Sequence, residues 1–391
     1  MQPGPKPDSE RGRSEDAPLA PWAMRASRSR GRRHPEQEHP FRSAFERDRD
    51  RIIHSRAFRR LEYKTQVFVN HEGDHFRTRL THSIEVSQVA RTVAAALNLN
   101  TVMAEALAFS HDLGHTPFGH LGEEVMDGLM KEHGGFNHNR QSLRIVELLE
   151  DRYPEFVGLN LTYEIREGIA KHSGPCDPSI VPEYADYHPE ERPPLEAQMM
   201  DIADEIAYQH HDTDDGIESG LLDPNVLARD IPLWGEAWEE ALRRYPQASP
   251  RQLVTVALRR MIDHLVSDLV ATSRAAIESS RVGSVDDVRK LPAQIMGLSP
   301  EVARRNRELK RYLMKNLYQH DHVERMKDKA RRIMTALFER YLDNEHLLPK
   351  EHREKIPALG RHRVIADYIA GMTDRYAMDE HRRLFEPYER V

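Results

Sequence analysis

RLTHSIEVSQVARTVAAALNLNTVMAEALAFSHDLGH, residues 79–115, decides the fold. From Thr81 onward Ile84, Val89, Val93 and Leu97 recur at helical spacing, and the run stops at Asn98–Asn100. Thr101 suits the cap of a second helix, whose apolar residues are Val102, Met103, Ala106, Leu107 and Phe109. A helical hairpin of this length returns the chain to its starting level, bringing His82 and His111 to one end. Asp112 follows His111 directly. A carboxylate at the end of so apolar a helix is costly to bury without a cationic partner.

A second such carboxylate lies far along the chain. In LEAQMMDIADEIAYQHHDTDDG, residues 195–216, Met199, Ile202 and Ile206 make one helix face. Asp201, Asp204, Tyr208, His211 and Asp212 make another, which reads as the wall of a cleft. Two imidazoles and two carboxylates from His82, His111, Asp112 and Asp204 suit one divalent ion: Mn, Fe, Co, Ni or Mg. Just after the first pair, GHTPFGHLGEE (residues 114–124) breaks and restarts helix. There His120 and Glu123 sit one turn apart, so the carboxylate can orient the imidazole and raise its proton affinity.

The rest of the chain points to an all-α protein of 391 residues with little strand alternation. A net charge of −7 gives no global pull toward nucleic acid or anionic membrane. One cysteine, Cys176, excludes an internal disulfide and thiolate-rich zinc sites. No apolar run reaches membrane-spanning length and no signal core opens the chain, so a cytoplasmic location is expected. Phosphate loops of the GxxxxGK[ST] kind and Rossmann fingerprints are absent.

Residues 1–40 are rich in Pro, Ser and Arg and read as a disordered tail. Its SRSRGRR run (residues 27–33) is expected to be solvated, with nucleic-acid contact left open. Residues 41–222 are the expected metal-dependent core, and residues 223–391 a C-terminal helical region packed on it. NHEGDHFRT (residues 70–78) reads as a polar loop, and the Pro-rich residues 173–194 as an insertion or lid. A basic helix carries Arg304, Arg305, Arg307, Lys310, Arg311 and Lys315.

The spacing His … His-Asp … Asp resembles that of HD-domain metal-dependent phosphohydrolases. RDRDRIIHSRAFRRLEYKTQVF (47–68), TRLTHSIEVSQVAR (78–91), HDLGHTPFGHLGE (111–123), DEIAYQHHDTDDGI (204–217) and NRELKRYLMKNLYQHDHV (306–323) resemble the deoxyguanosinetriphosphate triphosphohydrolase family more closely. The resemblance implies an all-helical HD core with added C-terminal helices. It also implies a homo-oligomer that hydrolyses a dNTP to deoxynucleoside and triphosphate. By that resemblance His82, His111, Asp112 and Asp204 hold the metal, and His115, His120, Glu123 and His138 serve catalysis. His115 is equally readable as a support of the helix turn, and which proton His120 and Glu123 each handle is open. Arg79 matches a phosphate contact, Tyr208 a sugar-stacking ring, Asp212 a partner of the 3′-hydroxyl and Gln66 a residue near sugar or base. Lys171 is a further phosphate candidate. Rival readings are an HD phosphohydrolase acting on another nucleotide (a 5′-deoxynucleotidase or phosphodiesterase), or a nucleotide-sensing or nucleic-acid-binding protein.

Overall fold

The computed structural model describes residues 19–66, 77–174 and 176–389, apart from the side chain of His322. Most of the polar loop expected at 70–78 lies outside the described residues. Among those described the architecture is helical, with only isolated β-bridges such as Arg32 with Thr162.

Ser43 opens α1 (Ala44–Ile53) with a reciprocal capping box to Glu46. The expected hairpin is formed by α2 (Arg79–Ala96) and α3 (Thr101–Ser110). Asn98 turns it with φ +54°, a left-handed conformation that asparagine tolerates. Asn100, not Thr101, is the cap: its side chain accepts from the amides of Val102 and Met103. α2 buries Val86, Val89, Ala90 and Val93, whereas Ile84 faces outward, 52% exposed.

Next come α4 (Gly119–Met130), α5 (His138–Arg144), α6 (Tyr163–Ala170) and α7 (Met200–Glu218). α7 lies along α2, which carries Asp204 to the open end of the hairpin. Gly114 permits a close crossing. A Cβ there would stand 2.2 Å from the His138 carbonyl oxygen, so only glycine lets α5 approach the turn after Asp112.

The apolar packing runs through the boundary expected near residue 222. Trp234 and Trp238 on α8 (Pro232–Arg244) and Leu258, Met261 and Leu265 on α9 (Pro250–Ser280) share one core with Val86 and Ile206. α10 (Pro300–Leu313) joins the same core through Leu309 and Leu313. Its basic residues are largely met by carboxylates: Arg304 by Glu308, Arg305 by Glu236 and Lys310 by Glu205.

A second core is built on α4. Phe118, Leu121, Met126 and Met130 pack against Met334, Leu337 and Phe338 of α11 (Asp321–Asp343) and Val364, Ile365 and Ile369 of α12 (Arg361–Ala370). α13 (Asp374–Phe385) closes the unit. Asp374, fully buried, accepts from the Thr65 amide at 2.9 Å, the Phe118 amide at 2.9 Å and the Thr65 hydroxyl.

Residues 19–40 are not a disordered tail. Ala20, Ala23 and Met24 enter the main core, and the Ala20 amide bonds the Asn98 carbonyl at 2.8 Å. Three of the four arginines of SRSRGRR face acids elsewhere in the chain: Arg30 meets Glu191, Arg32 meets Asp48, and Arg33 meets Asp186. These pairings offset three of the run's four positive charges, which weighs against the nucleic-acid contact kept open above. The segment is irregular, with a turn in which the Ala23 amide bonds the Ala20 carbonyl and a 3-10 turn at Ala26–Arg28, so its buried residues show no helical period for a sequence reading to find. Residues 1–18 lie outside the described residues. The Pro-rich stretch is also anchored, with Tyr184 and Tyr187 buried, so it is no free lid.

Candidate metal centre

His82 projects from the first turn of α2, His111 and Asp112 from the end of α3, and Asp204 from the second turn of α7. His82 Nε2 lies 2.9 Å from Asp204 Oδ1 and 3.9 Å from Asp112 Oδ2. His111 Nε2 lies 3.3 Å from Asp112 Oδ1 and 3.7 Å from Asp204 Oδ1. The four residues converge on one point.

Their protonation pattern fits a cation. His111 Nδ1 is 2.7 Å from the Ala108 carbonyl, an acceptor, so that nitrogen carries the ring proton. Nε2 is then bare; it is buried and has no hydrogen-bond partner. It faces carboxylate oxygens, and lone pairs facing lone pairs call for a positive ion between them. The backbone bond fixes ring and tautomer as outer-sphere partners of metal-bound histidines do. Asp112 is buried, yet the Arg79 guanidinium donating to its Oδ2 favours the ionised carboxylate and helps hold it below the usual range.

Arg79 is 1% exposed and gives Nη1 to Asp112 Oδ2 at 2.9 Å. Its Nε and Nη2 are buried without partners, leaving donors free for an anion. Gly119, at φ +65°, leaves room for that guanidinium; a Cβ there would stand 3.3 Å from Nη2.

On the other side of Asp112 lies a histidine group. His115 Nε2 is 3.0 Å from Asp112 Oδ1. Glu123 is nearest His138, whose Nδ1 is 2.9 Å from both carboxylate oxygens, while His120 Nδ1 stands at 3.8 Å. The expected His120–Glu123 couple is therefore a looser contact than His138–Glu123. Burial raises the Glu123 carboxyl, but the His120 ring nearby and the His138 ring hydrogen-bonded to both its oxygens bring it far below its ordinary value.

An adjoining cleft is lined by Gln66, Phe118, His120, Tyr208, Tyr318 and Lys327 among others. The rings of Tyr208 and Tyr318 lie nearly parallel, 6.1 Å apart. Asp212, fully buried, lies 3.1 Å from His211 Nε2. Against burial, Asp212 is the main influence raising His211 to about 9.

Lys171 is not brought to this site. Its Nζ donates to Glu167 Oε1 at 2.8 Å and to the carbonyls of His188 and Glu191 at 3.0 and 2.9 Å. All three protons are spent on the protein, so none is left for a phosphate. Its neighbour His172 is there instead. His172 is 3% exposed on its side chain, with Nδ1 2.6 Å from Asp201 Oδ1 and Nε2 3.8 Å from Asp204 Oδ2. The sequence reading passed over it, although KHSG follows a helix end and Asp201 was already on the cleft face. Lys64 was missed as well: fully buried, it donates to the carbonyls of His115 and Ala370.

Residues 79–209 match the HD domain family, and residues 296–383 match the phosphohydrolase-associated domain. An all-helical HD fold with a clustered His/Asp set defines an HD-superfamily phosphohydrolase. The chain is 52% identical over 378 residues to a deoxyguanosinetriphosphate triphosphohydrolase-like protein of Geobacter sulfurreducens, covering 96% of this chain and 97% of that one. It is 52% identical to the like-named protein of Thiobacillus denitrificans (94% and 97% covered) and 51% identical to that of Bordetella pertussis (94% and 96%). The chain belongs to the deoxyguanosinetriphosphate triphosphohydrolase-like family. No helix among the described residues is long and apolar enough to cross a membrane.

Proposed function

We propose that this protein hydrolyses deoxynucleoside triphosphates to a deoxynucleoside and intact triphosphate. The observation that carries the reading is the convergence of His82, His111, Asp112 and Asp204 beside an arginine with two unpartnered donors. These four residues would hold a divalent ion, which when bound polarises a phosphoryl oxygen and offsets developing charge. Arg79 meets the phosphate chain with Nε and Nη2 while Nη1 stays on Asp112. Positioning of this kind carries most of phosphoryl transfer.

Water attacks the α-phosphorus, forming a new bond to it, and the bond from that phosphorus to the 5′ oxygen breaks. Water therefore loses a proton and the departing 5′ oxygen gains one. His120, more than half exposed on its side chain and facing the cleft, is the acid–base candidate, with Glu123 orienting it. His138 holds Glu123, and His115 ties this group to Asp112. Tyr208 and Gln66 line the place of the sugar, where a packed ring excludes a 2′-hydroxyl; Asp212 reaches the 3′-hydroxyl only if it leaves His211. The protein is further read as a homo-oligomer acting in the cytoplasm.

Manganese-loaded protein incubated with each of the four dNTPs, singly and in pairs, tests the reading by product chromatography. Deoxynucleoside with triphosphate is the expected pair. Release of orthophosphate or pyrophosphate would transfer the protein to the rival nucleotide phosphohydrolases, and no turnover despite bound metal would favour a sensor.

A further inference from the structure

His115, His120 and Glu123 bring three ligand-type atoms within 4.8 Å of one another, beside the four-residue cluster but separate from it. The electron pairs are arranged unusually. His115 Nε2 lies 3.0 Å from Asp112 Oδ1, and an ionised carboxylate only accepts. The ring proton therefore sits on Nε2, and Nδ1 of the neutral ring is bare. That Nδ1 is buried without a hydrogen-bond partner and faces Glu123 Oε2 at 3.9 Å. His120 Nδ1 approaches the same oxygen at 3.8 Å. His138 grips Glu123 through both carboxylate oxygens and stacks on His115, ring centroids 4.0 Å apart.

We propose that His115 Nδ1, His120 Nδ1 and Glu123 Oε2 form a second divalent-cation site, completed by solvent. A tetrahedral ion with bonds of about 2.1 Å sets its donors about 3.4 Å apart. The 3.8 Å separation closes by a swing of His120, which is 58% exposed, and the 3.9 Å separation by a shift of about half an ångström in the Glu123 carboxylate toward His115. Two imidazoles and one carboxylate favour zinc or cobalt(II) over magnesium. The His115 ring separates this site from the first, and no donor atom is shared. It is thus unlike the paired-ion centres whose metals sit about 3.5–4 Å apart over a common substrate. An ion here takes the Nδ1 and the carboxylate through which Glu123 orients His120 in the proposed reaction, so filling it suppresses turnover supported by the first ion. The inference goes beyond the nucleotide reading and does not require a particular substrate.

Metal-free full-length protein dialysed against cobalt(II), followed by elemental analysis and visible spectroscopy, tests it. The wild type is expected to bind two ions per chain, His120→Ala and Glu123→Gln one, His111→Ala one, and the His111→Ala/His120→Ala double variant none, with circular dichroism unchanged throughout. The spectral component lost in His120→Ala should survive in His111→Ala. One ion per wild-type chain, or two in His120→Ala, overturns the proposal. Two ions bound by a wild type that hydrolyses no dNTP would sink the nucleotide reading and leave this site standing.

Discussion

Lys64 and Ala370, 306 positions apart, are joined by a buried hydrogen bond of 2.8 Å from ammonium to carbonyl. The same ammonium donates to the carbonyl of His115, and Asp374 closes the junction by accepting from residues 65 and 118. The C-terminal helices thus hold the turn that carries His115 and His120.

Asp374→Ala should therefore destabilise the protein by about 2–4 kcal/mol, because two buried amides and a hydroxyl lose their acceptor. Urea unfolding is the measurement. An unchanged midpoint would mean that the junction carries no weight.

Removing a residue of the four-membered cluster should abolish tight metal binding and lower turnover by about 10³-fold, the equivalent of several kcal/mol of lost charge stabilisation. His111→Ala is the cleanest choice, since its Nδ1 serves only a backbone carbonyl. Elemental analysis and product assays should fall together while circular dichroism is retained. Chelation of the wild type should mimic the variant, and added manganese should restore only the wild type.

His172 should act on metal affinity through Asp204. Asp201 holds its Nδ1 at 2.6 Å and its Nε2 faces Asp204 Oδ2 at 3.8 Å. His172→Ala is expected to weaken manganese binding about 10–100-fold, as outer-sphere changes do. Saturating metal should recover most of kcat, and failure to recover it would give His172 a direct part in the reaction.

Lys171→Met should leave KM for nucleotide unchanged and lower stability, because it strips partners from Glu167 and two carbonyls. A raised KM at normal stability would restore the phosphate role that the sequence suggested.

Glu196 sets a pH dependence. It is fully buried, and burial raises its carboxyl to about 7 from 4.5. Between those values the folded state binds the proton and the unfolded state releases it, so stability falls as pH rises through the window and the loss is complete above about 7. From pH 5.5 to pH 8 this one group should cost about 2 kcal/mol. Glu196→Gln should remove that slope in urea titrations; an identical slope in both proteins would refute the assignment.

Much of this was legible in the residues themselves. The hairpin followed from the spacing of Val89, Val93 and Leu97, and the Asn98 turn, because helical burial writes its period into sequence. His82, His111, Asp112 and Asp204 were readable because costly groups in apolar helices need a common partner. What escaped had no such signature. Ala20, Ala23 and Met24 are buried from an irregular, turn-containing segment, where burial carries no 3.6-residue beat. Lys171 and His172 are adjacent, and only the way the chain turns after α6 decides which of them meets Asp204 and which meets Glu167. Lys64 and Asp374 act through backbone atoms, whose partners no residue type announces.

The grip of Asp374 on residues 65 and 118 also orders events in time. A nascent chain still short of α13 has already made every residue of the His/Asp cluster, yet lacks the Asp374 carboxylate that holds the amides around its reactive turn. Synthesis from the N-terminus thus postpones a finished centre until the residues of α13 have been made.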